Sequence, residues 1–318
     1  MDSVIHDCIC AMTISILTSP HTHSGSLKLY IYIAFTVLCW GYSPIGIHSA
    51  LHSYTPQHIA LLRFLIASVF LFLLIMKKGI QPVKLKDVPA LAILGFFSVT
   101  LHHLLINTGQ QYVSAVASSI LSQSIPLFTF IISALLFKEK IWFKQWLCIL
   151  LGLCGAVLVV SGDHGFGVPS PYSLLIVLAA IAWGLYFNLY KKFALNYDAL
   201  SMMCYIIWFG TIPLLFYSTH LPSEILHATW QANMSVVLLG IFPSALAYVL
   251  WGYVLKNMPL TIASNFLYCS LIVAMSLAVV FLNEKPSMTV LLGGVMIVGS
   301  LVWMNWGNRR TIEQATDQ

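Results

Sequence analysis

Ten apolar stretches, each close to the length a helix needs to cross a bilayer, constrain this chain more than any other feature. They cover about 29–48, 58–76, 89–108, 114–137, 145–161, 172–190, 199–218, 235–255, 260–282 and 288–306. A hydrocarbon core about 30 Å thick is spanned by roughly 20 helical residues. Inside it every backbone N–H and C=O must be bonded within the protein, which runs of this length achieve as helices. Composition agrees, with 59% hydrophobic and 8% charged residues against roughly a quarter charged in a soluble domain. The expected fold is an all-α integral membrane protein of ten transmembrane helices joined by short connections.

Residues 1–28 form an N-terminal tail outside this plan. Its run "CICAMTISILTS" is apolar but too short to span, and no basic leader precedes it, so it does not read as a signal peptide. It is either an interfacial tail or a consequence of starting at Met1 rather than Met12. Residues 307–318 form a second tail.

Basic residues orient the helices. If Lys28 is cytoplasmic, so are Lys77, Lys78, Lys84, Lys86, Lys138, Lys140, Lys144, Lys191, Lys192, Lys256, Arg309 and Arg310, whereas the other face receives only Lys285. Both termini are then cytoplasmic, in the cell (inner) membrane. The net charge of +5 lies on one side and forms no basic patch interleaved with exposed aromatics, so no nucleic-acid partner is expected. Of seven cysteines, five fall inside apolar runs, and Cys8-Ile9-Cys10 is too tight for a zinc-type pair. No metal, disulfide framework or cofactor is implied.

One phrase occurs twice. "SSILSQSIPLFTFIISALLFKEK" (118–140) and "ASNFLYCSLIVAMSLAVVFLNEK" (263–285) share a cadence at an offset of 145, as do Gly95 and Gly240, Phe97 and Phe242, and Leu101 and Leu246. At 143, Trp40-Gly41 matches Trp183-Gly184. A copied unit of five helices must lie upside down relative to its partner, giving inverted repeats at 29–161 and 172–306. Such repeats characterise alternating-access transporters.

The motifs "WGYSPIG" (40–46), "LLRFLIAS" around Arg63, "TGQQYVSAVASSILSQSIPLFTFIISALLFKEK" (108–140), "AAIAWGLYFNLYKK" from Ala179 and "WGYVLKNMPLTIAS" from Trp251 extend the pattern. In their order and duplication the chain resembles the EamA family of the drug/metabolite transporter superfamily, from about residue 29 to 306. The resemblance implies a ten-helix exporter or metabolite carrier whose central cavity is lined by helices 1, 3, 4, 6, 8 and 9. The family commonly has Pro in both copies of the repeated phrase; here Pro126 is present but position 271 is Leu. Helix 9 is therefore expected to be straighter than helix 4.

Candidate residues follow from polarity within the spans. None contains Asp or Glu, which argues against carboxylate-based coupling and a polycation exporter, and leaves facilitated diffusion, exchange or coupling through histidine. Arg63 either snorkels to the outer interface, makes a structural hydrogen bond, or holds a substrate carboxylate. His102 and His103 diverge by about 100°, so at most one is expected at the cavity; His103, matching Tyr248, is the better candidate. The remaining cavity candidates are Trp40, Ser118, Ser122, Gln123, Trp183, Tyr186, Tyr248, Trp251, Asn265 and Tyr268, with Ser114, Ser118 and Ser122 also readable as a helix-packing seam. Glu139 and Glu284 read as polar stops at helix ends, with a gate as the alternative. The expected activity is movement of a small-molecule substrate, such as an amino acid, outward across a lipid bilayer. A non-transporting scaffold, or an intramembrane enzyme using histidine, is the alternative; the enzyme would need histidines facing each other across helices. Oligomeric state is not readable.

Overall fold

The computed structural model describes the backbone of residues 23–138, 142–162, 171–193, 195–258 and 266–316, and side chains between 27 and 304. It is helical, with no strand among the described residues. Among the described residues, eight helices are long and apolar enough to cross a membrane: α1 (Leu27–Ala50), α2 (Pro56–Lys78), α3 (Leu85–Gln110), α4 (Ala115–Phe137), α5 (Phe143–Gly162), α6 (Pro171–Phe193), α7 (Ala199–Tyr217) and α8 (Trp230–Asn257). Two shorter apolar helices follow, α9 (Tyr268–Leu282) and α10 (Met288–Met304). The helix of α10 runs on to Thr316, so the expected second tail begins as its continuation. The expected tail's residues 1–22, together with Glu139, Lys140 and Asn265, lie outside the described residues.

Local chemistry sets the helix limits. Thr55 caps α2 by accepting the His58 N–H, and Pro56 follows where no donor is needed. Ser114 and Thr229 cap α4 and α8 through the Ala117 and Ala232 N–H groups. Gly79 ends α2 at φ 78°, a conformation a Cβ would oppose, with its N–H bonded to the Ile75 carbonyl. Leu135, Val280 and Phe281 remain 73%, 68% and 68% exposed, an apolar surface suited to lipid rather than water.

Small residues allow the closest helix approaches. A Cβ on Gly95 of α3 would meet the Ile206 carbonyl of α7 at 2.4 Å, and one on Gly155 of α5 would meet the Gly293 carbonyl of α10 at 2.6 Å. No side chain fits at either position, so these backbones touch directly.

Two helices widen midway. In α3 the His102 N–H bonds the Phe97 carbonyl five residues back, across a π-type turn at Phe96–Leu101. In α8 the Ala247 N–H does the same to Phe242, across Gly240–Leu246, which contains Pro243. Each turn frees one carbonyl that an ordinary α-turn would occupy, Ser98 in α3 and Pro243 in α8. The two lie 145 residues apart.

Serine-closed turns occur in α4 and at the start of α9. Ser124 N–H and Oγ both reach the Leu121 carbonyl, closing a tighter turn before Pro126. Just before α9, the Leu267 carbonyl accepts from Ser270 N–H and Oγ, a turn closed over three residues. Without proline at position 271, a serine hydroxyl bonded three residues back makes a turn there like that of Ser124.

Contacts gather the helix ends at two ends of the bundle. At one, the Lys84 N–H donates to Tyr197 Oη, whose O–H donates to Asp87, and the Gln81 N–H donates to Ser201 Oγ. Lys28 lies over the Tyr253 ring and Lys191 over Phe137 there. At the other, Glu224 accepts from the Thr55 N–H and lies 2.6 Å from His58 Nδ1. The Ser287 O–H donates to the Gly162 carbonyl, and Tyr112 stacks on Tyr172 at 3.8 Å. Glu284 joins this second end from the terminus of α9: its two oxygens accept the Ala115 and Val116 N–H groups at 2.8 and 2.9 Å.

Candidate functional site

A cavity of about 830 Å³ occupies the middle of the bundle, within the range of small-molecule sites. Its wall comes from α1, α3, α4, α6, α8 and α9, with α2 adding Arg63 and α10 adding Met304. Toward the lysine end it reaches the exposed Lys191, with Leu255, Met258 and Met304 alongside. Toward the Glu284 end it stops at Ile47, Gln110 and Ser119, four residues inside the capped start of α4.

At its waist, Trp40, Trp183 and Tyr248 meet edge to face. Trp40 lies 6.2 Å from each of the other two, which are 5.6 Å apart. The widened turns hold this triad. Trp40 Nε1 donates to the freed Pro243 carbonyl at 3.1 Å, and the Tyr248 O–H donates to the freed Ser98 carbonyl at 3.3 Å. Each half of the chain thus lends a carbonyl to an aromatic beside the cavity.

Both histidines border the cavity, correcting the expectation that at most one would. The α3 wall stripe passes through Ile106 and Gln110, and His102 and His103 flank its line with rings 4.8 Å apart. His102 Nδ1 lies 2.9 Å from the Ala179 carbonyl; His103 Nδ1 lies 3.1 Å from those of Ser98 and Val99. Carbonyls only accept, which assigns the Nδ1 proton and leaves each Nε2 an acceptor in the neutral ring.

Arg63 does not snorkel. It is 2% exposed, and its Nε donates to Ser244 Oγ in α8 at 2.8 Å. Among the described residues its Nη1 is enclosed without an acceptor, and none of those lining the wall is Asp or Glu.

Of the other candidates, Ser122 and Gln123 line the cavity, whereas Ser118, Tyr186, Trp251 and Tyr268 do not. In α4 the wall follows Ser119, Ser122, Gln123 and Pro126, spacings of three, four and seven that leave Ser118 one position off. Ser118 is wholly buried, and Ser122 donates back to its carbonyl. Tyr186 and Trp251 lie three residues beyond wall residues Trp183 and Tyr248, turned toward neighbouring helices. Tyr186 packs on Trp183 at 5.5 Å, and Trp251 on Trp40 at 5.3 Å. Tyr268 is 9% exposed, within the α4–α9–α10 core.

Polar wall residues outside the expected set include His102, Gln110, Ser119 and Asn188. Asn188 Nδ2 clasps α6 to α4 through the Gly184 and Thr129 carbonyls, both at 2.9 Å. Its signal was its place one turn after Gly184. Both amide atoms of Gln110 are buried without a partner among the described residues. Those residues contain no cluster of three His, Cys, Asp or Glu side chains able to hold a metal.

The sequence model of the EamA-like transporter family matches this chain twice, at residues 27–161 and 170–306. The "Uncharacterized transporter YdfC" of Bacillus subtilis is 32% identical over 276 residues, 87% of this chain and 90% of the relative. A "Probable terminal-alkyne amino-acid exporter" of Streptantibioticus cattleyicolor is 28% identical over 281 residues, 88% and 93% of the two chains. A solved crystal structure superposes with a TM-score of 0.62 at 19% identity, covering 89% of this chain and 98% of the other, a likeness of fold. The family and these named relatives are transporters rather than enzymes. The chain is a multi-pass membrane protein of the EamA-like transporter family.

Proposed function

We propose that this transporter exports small amphiphilic organic solutes, amino acids among them, by alternating access between two inverted five-helix halves, 29–161 and 172–306. The observation that carries the reading is the cavity itself: aromatic at its waist, in reach of Lys191 at one end and ended beneath the Glu284 cap at the other. One access path at a time is what alternating access requires.

The twofold family match, and the equivalent widened turns in α3 and α8, support the inverted-repeat arrangement. The lysine-rich end supports cytoplasmic termini in the cell membrane, so the cavity faces the cytoplasm in this state. A relative printed as a probable amino-acid exporter supports the solute class. Trp40, Trp183, Tyr248, Ser122 and Gln123 form the solute site, with His103 a contact or proton carrier.

Counterflow in proteoliposomes, with labelled amino acids and related amphiphiles at several pH gradients, tests the reading. Saturable exchange of at least one solute is expected. Its absence across the panel would leave a non-transporting membrane scaffold. Exchange unaltered in His103→Ala would remove the histidine, and a flat response to pH would remove proton coupling.

A further inference from the structure

We propose that Arg63 is the anion anchor of the cavity: the transported solute carries a carboxylate, and this guanidinium receives it. The inference rests on the cavity being the transport path and names the chemistry of what travels through it.

Arg63 borders the cavity yet is 2% exposed. Its charge meets one hydroxyl, that of Ser244, and the Phe64 ring 5.4 Å from Cζ. Neither is an anion, and no described carboxylate pairs with it. A permanent charge out of water without a counter-ion is costly, and buried charges are ordinarily paired. A soluble anion within the cavity would supply the missing partner, and a planar carboxylate matches the guanidinium fork.

The surroundings refine the choice. The His102 and His103 Nδ1 atoms are committed to carbonyls, so the neutral rings offer Nε2 lone pairs. Such acceptors disfavour a second anionic group but accept N–H donors, and the triad of Trp40, Trp183 and Tyr248 suits an apolar body or an ammonium over a ring face. A monocarboxylate with an adjacent amino group satisfies all three features; a simple amine leaves Arg63 unpaired.

Thermal stabilisation of the purified protein by L-phenylalanine, phenylalaninamide and phenethylamine, and by L-leucine with leucinamide, tests this. The acids are expected to act at concentrations at least about tenfold below the amides and the amine, the charge-assisted bonds being the strong ones. Arg63→Gln should abolish that preference. Arg63→Lys, which keeps charge without the fork, should weaken the acids about tenfold. Should Arg63→Gln not fold, Arg63→Lys and Ser244→Ala carry the test, the latter keeping the preference. Gln110→Ala, removing the wall's neutral unpartnered amide, should weaken every compound alike. Amides as effective as acids, or a preference unchanged in Arg63→Lys, would overturn the anchor. So would acids that stabilise nothing, although saturable counterflow of another solute would then preserve the transport reading.

Discussion

Asp198 and Glu284 do the same chemistry at opposite ends of the bundle and have different consequences. Asp198 caps its own helix: Oδ1 accepts the Ser201 N–H, three residues on, at 3.0 Å at the start of α7. Glu284 caps a helix 169 residues away in sequence, accepting two first-turn N–H groups of α4 from the end of α9. Both place a carboxylate at the positive end of a helix, where it satisfies donors and the dipole. A local cap travels with its helix. The distant one joins two helices that both line the cavity, at the end where the cavity is closed. If that end opens during transport, Asp198 stays bonded and Glu284 must let go. The same bond is a stabiliser in one place and a latch in the other.

The largest effect should come from Glu284→Ala. It leaves the Ala115 and Val116 N–H groups without their acceptors on residues that are each 1% exposed, costing about 2–3 kcal/mol. Melting temperature should fall. A Ser119→Cys reporter, now 4% exposed at the closed end of the wall, should react faster with an impermeant thiol reagent added from the Glu284 side. Unchanged labelling would mean that something other than this cap seals the end. Glu284→Gln keeps one acceptor oxygen without the charge, so about half that loss, with intermediate labelling, is expected. Asp198→Ala should cost about 1 kcal/mol while leaving Ser119→Cys labelling untouched. An increase there would erase the distinction between stabiliser and latch.

Much of this was legible in sequence because its causes are local. The first eight apolar stretches lie close to the eight long helices, and the last two overlap the shorter α9 and α10; the limits were legible because Thr55-Pro56, Gly79, Ser114 and Thr229 act within one turn. Pro126 announced the break in α4. What escaped depends on partners distant in the chain. Arg63 looked free to snorkel because Ser244, which holds it, lies 181 residues on. Glu284 read as a polar stop rather than a gate because its partners, the Ala115 and Val116 N–H groups, lie 169 and 168 residues away. The widened turn in α8 carried a trace in Pro243, which cannot donate within a helix, but its counterpart in α3 contains no proline and left none. In α4, choosing Ser118 over Ser119 is an error of 100°, and polarity alone does not set the phase of a stripe when both neighbours are serine. Tyr186 and Trp251 were misassigned for a related reason: three residues on falls on the other flank of the wall residue, against the next helix.

The smallest effect is the pH dependence of the local cap. Burial pushes the Asp198 carboxyl up, but hydrogen bonds from the Ser201 side chain and N–H, and from the Leu200 N–H, outweigh it and hold it below its ordinary 3.8. A carboxyl depressed on folding contributes stability that is fully present above its unfolded value and is lost as pH falls through the folded one. The melting-temperature gap between wild type and Asp198→Asn should therefore be constant above about pH 5 and close below about pH 4. Ser119→Cys labelling should not follow it, because a helix losing its own cap frays in place and separates no pair of cavity helices. A gap that widened on acidification would mean that the neutral acid is the better cap, and that the ionic half of the comparison is wrong.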